Sequence, residues 1–506
     1  MTGNLHLGLD VGTTAVKAAV YDSHGAIRAL EDRESNPVAE RSGWSSQPME
    51  AVWQTAADAI KSVSTQVGAQ NIGTVGVCAQ GDGLWLLDEQ GRPVRDAILW
   101  NDQRAVDYVT GWIEDGTADR LARFSRTAIW PGTSGAAYRW LKDHEPENAA
   151  RARHAINCKD WINLRLTGQL TTDYTDATIP FLDLESGRYA PEAFAMLGVE
   201  ELQDKLVDPL RATGLNGAVD EAASGATGLP VGTPVAAGCI DVAAMISGMG
   251  LAETGDICLI LGTTAVVAVI VEPEAFSGPQ PGATLAHPYA DKWIRVLAPL
   301  SGASALDWFT SLDSVNYGGA DAAEVIQRLN SAAASVPAGA NGVVFVPFLS
   351  GERAPVVAPH ATASFHGITS ATTQADLARA VMEGAAMSLR QCFQATGAAT
   401  PGQIFMTGGG ARNALWCDII ASVMNTTIVA SDSSDHGVWG AAMIGACAGG
   451  MMDIARPPVR DEALRRHRPD GKMVASYNQL FQLYENHVAS SPALWNARRD
   501  ILGGPS

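Results

Sequence analysis

An α/β fold built as two similar halves is what this sequence predicts, on three observations. The pentapeptide Gly-Thr-Thr-Ala-Val occurs at residues 12–16 and again at 262–266, close to half the chain apart. Each copy lies inside an alternating apolar run, at 7–21 and 256–271, which reads as two strands joined by a tight Gly-Thr turn. Strand-like and helix-like patterns then alternate along all 506 residues, as they do when helices and sheets layer on one another. It is the shared strand context, more than the five letters, that argues for duplication. A turn of backbone N–H groups and threonine hydroxyls is a good phosphate cradle. Two of them suggest halves that face each other across a phosphate.

The elements follow in order. Strands are predicted at 5–11, 15–21, 72–79, 84–87, 256–261, 265–271, 342–346 and 403–407, from short apolar or alternating runs. Helices are predicted at 49–67, 136–144, 159–166, 242–248, 303–312, 374–395, 414–424 and 437–448, with a terminal helix around 477–494. No low-complexity linker divides the chain. The best boundary lies at 248–255, just before the second Gly-Thr-Thr hairpin, so the domains are expected at 1–248 and 249–506.

Composition narrows the function classes. The chain is 46% hydrophobic with 13 Trp, ample for two large cores. Its net charge of −19 argues against nucleic acid as a main partner. An anionic ligand must therefore be met by backbone dipoles, a few basic residues or a cation. The seven cysteines are irregularly spaced and include no Cys-x-x-Cys, which reads as buried thiols in a reducing cytosol. The longest apolar stretch, 257–271, is shorter than a membrane span and is broken by Gly-Thr-Thr. A cytoplasmic protein without membrane or nucleic-acid partners is expected.

Five places carry chemistry. Asp10 ends the first strand, directly before the first Gly-Thr-Thr turn. It is placed to hold Mg²⁺ through water or simply to cap its own turn, and Lys17, on the next strand, is within reach of a phosphate. Asp241 opens a helix-like segment after Gly238-Cys-Ile. The helix dipole would favour its ionised form, as a general base needs, while a plain N-cap is the alternative. Gly81-Asp82-Gly83 breaks an apolar strand after Gln80 and suits a polyhydroxylated ligand, or else is an Asp-Gly β-turn. Trp100-Asn-Asp102-Gln-Arg104 adds a second polar cluster. Thr407-Gly408-Gly409-Gly410 lets a backbone approach a ligand closely, and Asn413 would bond a base edge or cap the next helix. Neither Gly-x-Gly-x-x-Gly nor the Gly-x-x-x-x-Gly-Lys-Ser/Thr loop is present.

Taken together, these residues resemble the FGGY carbohydrate kinases, members of the actin-like ATPase superfamily, from about Leu5 to Gly449. The clearest match is Ala363-x-Phe365-x-Gly367-Ile368, seven residues, then Asp376-Leu377-x-x-Ala380-Val381-Met382-Glu383. Gly351-Glu352-Arg353 with Pro355, the triple-glycine turn and Gly440-Ala-Ala442 also fit. The resemblance implies two actin-like (ribonuclease H-like) domains with an interdomain active cleft, ATP and Mg²⁺ as cofactors, and a small sugar or polyol as acceptor. A homodimer is compatible with it. Position by position, Asp10, Thr13, Thr14 and Lys17 look like the first phosphate and metal elements, with Asp10 the metal anchor. Asp241 looks like the general base. Gly262 and Thr263 look like the second phosphate turn, and Gly302, Gly409 and Asn413 like adenosine contacts. Gly81 and Asp82 fall where the family's sugar-binding pair sits.

Several positions depart from named branches. Xylulose kinases usually carry Met-His, and glycerol kinases Arg-Glu, where this chain has Gly81-Asp82. Glycerol kinases have Gln after the catalytic Asp, here Val242. The family's first signature has a Lys three residues before a Trp; here Ala137 precedes Trp140. Gln-Gly-Asp-Gly resembles the erythritol and L-xylulose kinase branches. The alternatives to a sugar kinase are an actin- or chaperone-like ATPase without a sugar acceptor and a non-catalytic sugar sensor. Retention of Asp10, Asp241 and both Gly-Thr-Thr turns argues against the sensor.

Overall fold

The computed structural model describes residues 3–262, 264–273, 281–314, 322–453, 460 and 463–502. The chain forms two compact units, one of Met1–Thr254, Ile270–Ile294 and Asp435–Asp461, the other of Gly255–Val269, Arg295–Ser434 and Glu462–Ser506.

In the first unit, Leu5–Val11 lies inside a seven-stranded sheet. It pairs antiparallel with Ala15–Tyr21 and parallel with Ile72–Ala79. Ala15–Tyr21 carries the edge strand Ile27–Glu34. On the other side, Pro234–Ala236 and Cys239–Ile240 both run parallel to Ile72–Ala79, and Leu215–Ala218 closes that edge. Every residue of Ile72–Ala79 is buried, as a strand covered on both faces must be. One cover is the helix Met49–Val67, whose Val52, Trp53, Ala56, Ile60 and Val63 recur at helical spacing and join Leu7, Leu9 and Val11 in one core.

The other cover is the helix His436–Ala448, which comes from far along the chain. It lies so close that a Cβ on Gly8 would collide with the Val438 carbonyl oxygen, and one on Gly76 with that of Ala441. Two glycines on neighbouring strands therefore admit a helix backbone directly onto the sheet. This packing is why the first unit takes in Asp435–Asp461 and is not one continuous stretch of sequence.

In the second unit, Ile257–Leu261 pairs antiparallel with Ala265–Val271 and parallel with Gln403–Thr407. Gln403–Thr407 pairs parallel with Thr427–Ser431, which pairs antiparallel with Leu464–His467. The hairpin beside a parallel pair repeats the pattern of Leu5–Val11, Ala15–Tyr21 and Ile72–Ala79, as the repeated pentapeptide predicts. The helix Gln374–Ala395 starts with a capping box between Thr373 and Asp376. One turn into its body, Arg379 Nε donates to Glu383 Oε1 at 2.7 Å, and the Tyr477 hydroxyl donates to the same oxygen at 2.7 Å. The acidic positions of the longest sequence match, Asp376 and Glu383, thus have structural partners: one caps the helix and the other anchors a buried ion pair.

The predicted strands at Leu5–Val11, Ala15–Tyr21, Ile72–Ala79, Ala265–Val271 and Gln403–Thr407 are present with those bounds, as are the helices Met49–Val67, Gln374–Ala395 and Ala414–Met424. The terminal helix is longer than predicted and divided, into Gly471–Ser490 and Pro492–Leu502, because Pro492 cannot continue the first. Among the described residues no helix is long and apolar enough to cross a membrane. None of the seven cysteines forms a disulfide, and six of them are buried.

Candidate active site

The first unit gathers its chemistry at the carboxyl ends of parallel strands, where open α/β sheets present their ligand sites. Asp10 stands opposite Cys78, and Cys78 opposite Cys239. Two residues beyond Cys239 the chain turns into the helix Asp241–Gly248, so Asp241 is its first residue. Asp241 Oδ1 accepts a hydrogen bond from the next amide, Val242 N, at 2.6 Å. Both carboxylates are half-buried. Burial raises Asp10 above the usual carboxylate range, partly offset by Lys17, which faces it in the hairpin register. Burial first, and the charge of Asp10 second, push Asp241 up to about 7. The sequence predicts a helix terminus that keeps Asp241 ionised at neutral pH. The structure corrects this: desolvation and a like charge outweigh the single amide that favours the anion. Lys17 Nζ also lies 3.9 Å from Asp32 Oδ2.

The first Gly-Thr-Thr turn is held from inside the protein. Gly12 N donates to Ala15 O at 2.9 Å. The Thr13 hydroxyl donates to Gln80 Oε1 at 2.8 Å and accepts from Trp100 Nε1 at 3.0 Å. Gln80 Nε2 donates in turn to Gln47 Oε1 at 2.8 Å, and Gln47 Nε2 to Ser35 Oγ at 2.8 Å. Thr13 is therefore a fastening between turn and strand end, whereas the Thr14 side chain is exposed. Gln47 lies outside every motif that the sequence singles out, since an isolated Gln after a loop gives no signal.

Gly81 lies against Ile240: a Cβ here would collide with Ile240 Cδ1, and would sit 3.6 Å from Asp176 Oδ1. Asp82 and Gly83 have φ of 57° and 77°, so the Asp-Gly turn is real and its carboxylate is carried on a left-handed backbone. The polar cluster that follows is internal. Asp102 and Arg104 form a two-pronged ion pair with both side chains fully buried, and the Arg104 guanidinium lies over the rings of Trp44 and Trp140.

In the second unit, Gly262 and Gly302 are brought together. Gly262 O accepts from Ala303 N at 2.7 Å, and a Cβ on Gly302 would stand 2.5 Å from the Thr264 carbonyl carbon. Thr263 lies outside the described residues. The three glycines after Thr407 divide in role. Gly408 has φ of 94° and abuts the Leu261 backbone, and a Cβ on Gly410 would strike the Leu261 side chain. Gly409 meets nothing within 4 Å, so its missing side chain leaves open space. Asn413 caps the helix Ala414–Met424, with Oδ1 accepting from Trp416 N at 3.2 Å and Nδ2 donating to Asn330 Oδ1 at 3.0 Å.

Among the described residues no group of three or more His, Cys, Asp or Glu side chains forms a metal cage. The donors present suit a different arrangement. A half-buried Asp10 with Asp241 beside it fits Mg²⁺ held largely by water and phosphate oxygens, the usual mode for that ion.

Comparison with known proteins gives the family of the chain. The chain matches the FGGY family of carbohydrate kinases, its N-terminal domain over residues 5–248 and its C-terminal domain over 257–449, and belongs to that family. It is a carbohydrate kinase with two actin-like ATPase domains. It is 29% identical to a probable L-xylulose kinase of Pasteurella multocida, over 97% of this chain and 100% of that one. It is also 29% identical to the erythritol kinase of Brucella abortus, over 98% of each. The crystal structure of a xylulose kinase from Brucella ovis superposes with a TM-score of 0.86 at 26% identity, covering 97% of this chain and 100% of that one.

Proposed function

We propose that the protein transfers the γ-phosphoryl group of ATP to a hydroxyl of a small sugar or polyol, a pentulose, a tetritol or a related compound. The observation that carries this is Asp241: a carboxylate at the end of a parallel strand, its proton affinity poised near neutrality, with Asp10 as its charged neighbour. A general base works best with a pKa near the operating pH. Asp241 takes the proton of the acceptor hydroxyl as that oxygen bonds to the γ-phosphorus, and the bond from phosphorus to the bridging oxygen of ADP breaks. Phosphoryl transfer relies mainly on positioning and charge, so Asp241 also orients the hydroxyl. Asp82 binds the acceptor's other hydroxyls, on a turn kept narrow by Gly81 and Ile240.

The two Gly-Thr-Thr turns contact the phosphates, through Thr14 and backbone amides in the first and Gly262 with Thr263 in the second. Lys17 offsets phosphate charge. Gly302 shapes the second turn, Gly409 leaves room for the adenosine, and Asn413 fixes the helix that follows. Asp10 is the anchor for Mg²⁺, which supplies charge neutralisation to the triphosphate when bound. The names of the relatives support the acceptor class, since they include a ketose kinase and a polyol kinase.

The test is ADP release from Mg-ATP with and without a panel of pentuloses and tetritols, with the phosphorylated product identified by mass. Acceptor-dependent turnover that disappears in EDTA is expected. ADP release that no acceptor stimulates would favour an ATPase without a sugar acceptor.

A further inference from the structure

Among the described residues, carboxyl groups outnumber ammonium groups around the Gly81–Asp82 turn. The buried ammonium beside it, Lys159, is surrounded by Asp160, by Asp173 Oδ1 at 3.0 Å and by Asp176 Oδ2 at 3.2 Å, with all four side chains almost wholly buried. One positive charge thus faces three carboxyl groups. Burial raises Asp176 well above the usual carboxylate range and raises Asp173 as well. Lys159 is already engaged by three carboxyl groups, so this cluster offers an anionic acceptor no uncompensated cation. Asp176 Oδ1, buried and without a hydrogen-bond partner, is the polar atom nearest to where a Gly81 Cβ would sit.

Three further carboxylates complete the picture. Asp82 is half-buried on its left-handed turn, a conformation that Asp and Asn tolerate better than other non-glycine residues. Asp10 and Asp241 end the neighbouring strands, and among the described residues the charge that acts on Asp241 is that of Asp10. The Cys239 thiol lies within electrostatic reach of Asp173, Lys159, Asp176 and Asp241 together, so the buried cluster and the proposed base share one neighbourhood.

From this we infer that the acceptor site takes uncharged polyols and ketoses and rejects sugar acids, an inference that rests on the kinase function proposed above. Hydroxyl groups donate charge-assisted hydrogen bonds to carboxylates. A carboxylate on the acceptor would instead meet like charges at low effective dielectric, which is how sites exclude a wrong partner.

The test compares kcat/KM at pH 7.5 for erythritol, D-xylulose and L-xylulose with that for D-erythronate and D-xylonate, all with Mg-ATP. The best neutral acceptor is expected to exceed the best acid by about 100-fold. A ratio of 30 or more supports the inference, and a smaller one overturns it. Asp82→Asn keeps the left-handed turn and removes one charge, so the ratio should fall at least fivefold; an unchanged ratio would overturn the assignment to Asp82. Should that variant fail to fold, the wild-type ratio still decides. Turnover of acids alone sinks this inference and leaves the kinase reading standing, whereas turnover of neither series sinks both.

Discussion

Burial first, and then the charge of Asp10 across the paired residues Cys78 and Cys239, raise the proton affinity of Asp241. A metal anchor and a general base are thereby coupled in the proposed mechanism, and the coupling has a sign that can be measured. Asp241 acts as base only when deprotonated, so kcat/KM for the acceptor should rise with pH through a midpoint near 7 and then level off. Asp10→Asn removes the like charge and should shift the midpoint of its residual activity downward. A midpoint that stays in place would separate the two groups.

The same shift predicts a stability effect. The folded-state pKa of Asp241 lies above its ordinary value of 3.8, so the folded state binds the proton more tightly than the unfolded chain. That contribution is complete below about pH 4 and is lost as pH rises through about 7. Asp241→Asn should therefore raise Tm at pH 8 by a few degrees while changing it little at pH 4. Thermal melts at the two pH values check this.

Gly409 and Gly410 are adjacent and predicted to behave oppositely. Gly410→Ala drives a methyl into Leu261 and should cost on the order of 1–3 kcal/mol, seen as a lower Tm. Gly409→Ala meets no protein atom, so Tm should hold while the KM for ATP rises several-fold. An unchanged KM would remove Gly409 from the nucleotide site.

Glu383→Gln leaves Arg379 buried beside Tyr477 without its countercharge. Removing one partner of a buried pair costs about 3–5 kcal/mol. A denaturant midpoint close to wild type would contradict the structural role given to this signature residue.

Much of the fold was legible in the sequence because its strands are central and apolar. Leu5–Val11 and Ile72–Ala79 are covered on both faces, and such strands advertise themselves. The edge strand Ile27–Glu34, absent from the predicted strands, has a single fully buried position, Ala29, and so lacks an apolar pattern. The partner of Gly8 and Gly76 was illegible for another reason: a glycine in a strand announces close approach but not which helix approaches. At the site, the Asp-Gly turn and the strand-end Asp10 were visible as patterns. The pKa of Asp241 was not, because it depends on how deeply two carboxylates are buried side by side. Thr13 reads as a phosphate ligand from its motif, yet its hydroxyl is committed to Gln80 and Trp100, partners 67 and 87 residues away in the chain.

The central claim is that Asp241 is the general base, and Asp241→Asn tests it most directly. Asparagine keeps the shape and caps a helix nearly as well as aspartate, but it cannot take the acceptor's proton. Steady-state kinetics with the best acceptor should show kcat reduced about 10²–10⁴-fold, with nucleotide affinity little changed. A kcat close to wild type would contradict the account and leave Asp241 as the first residue of a helix and nothing more.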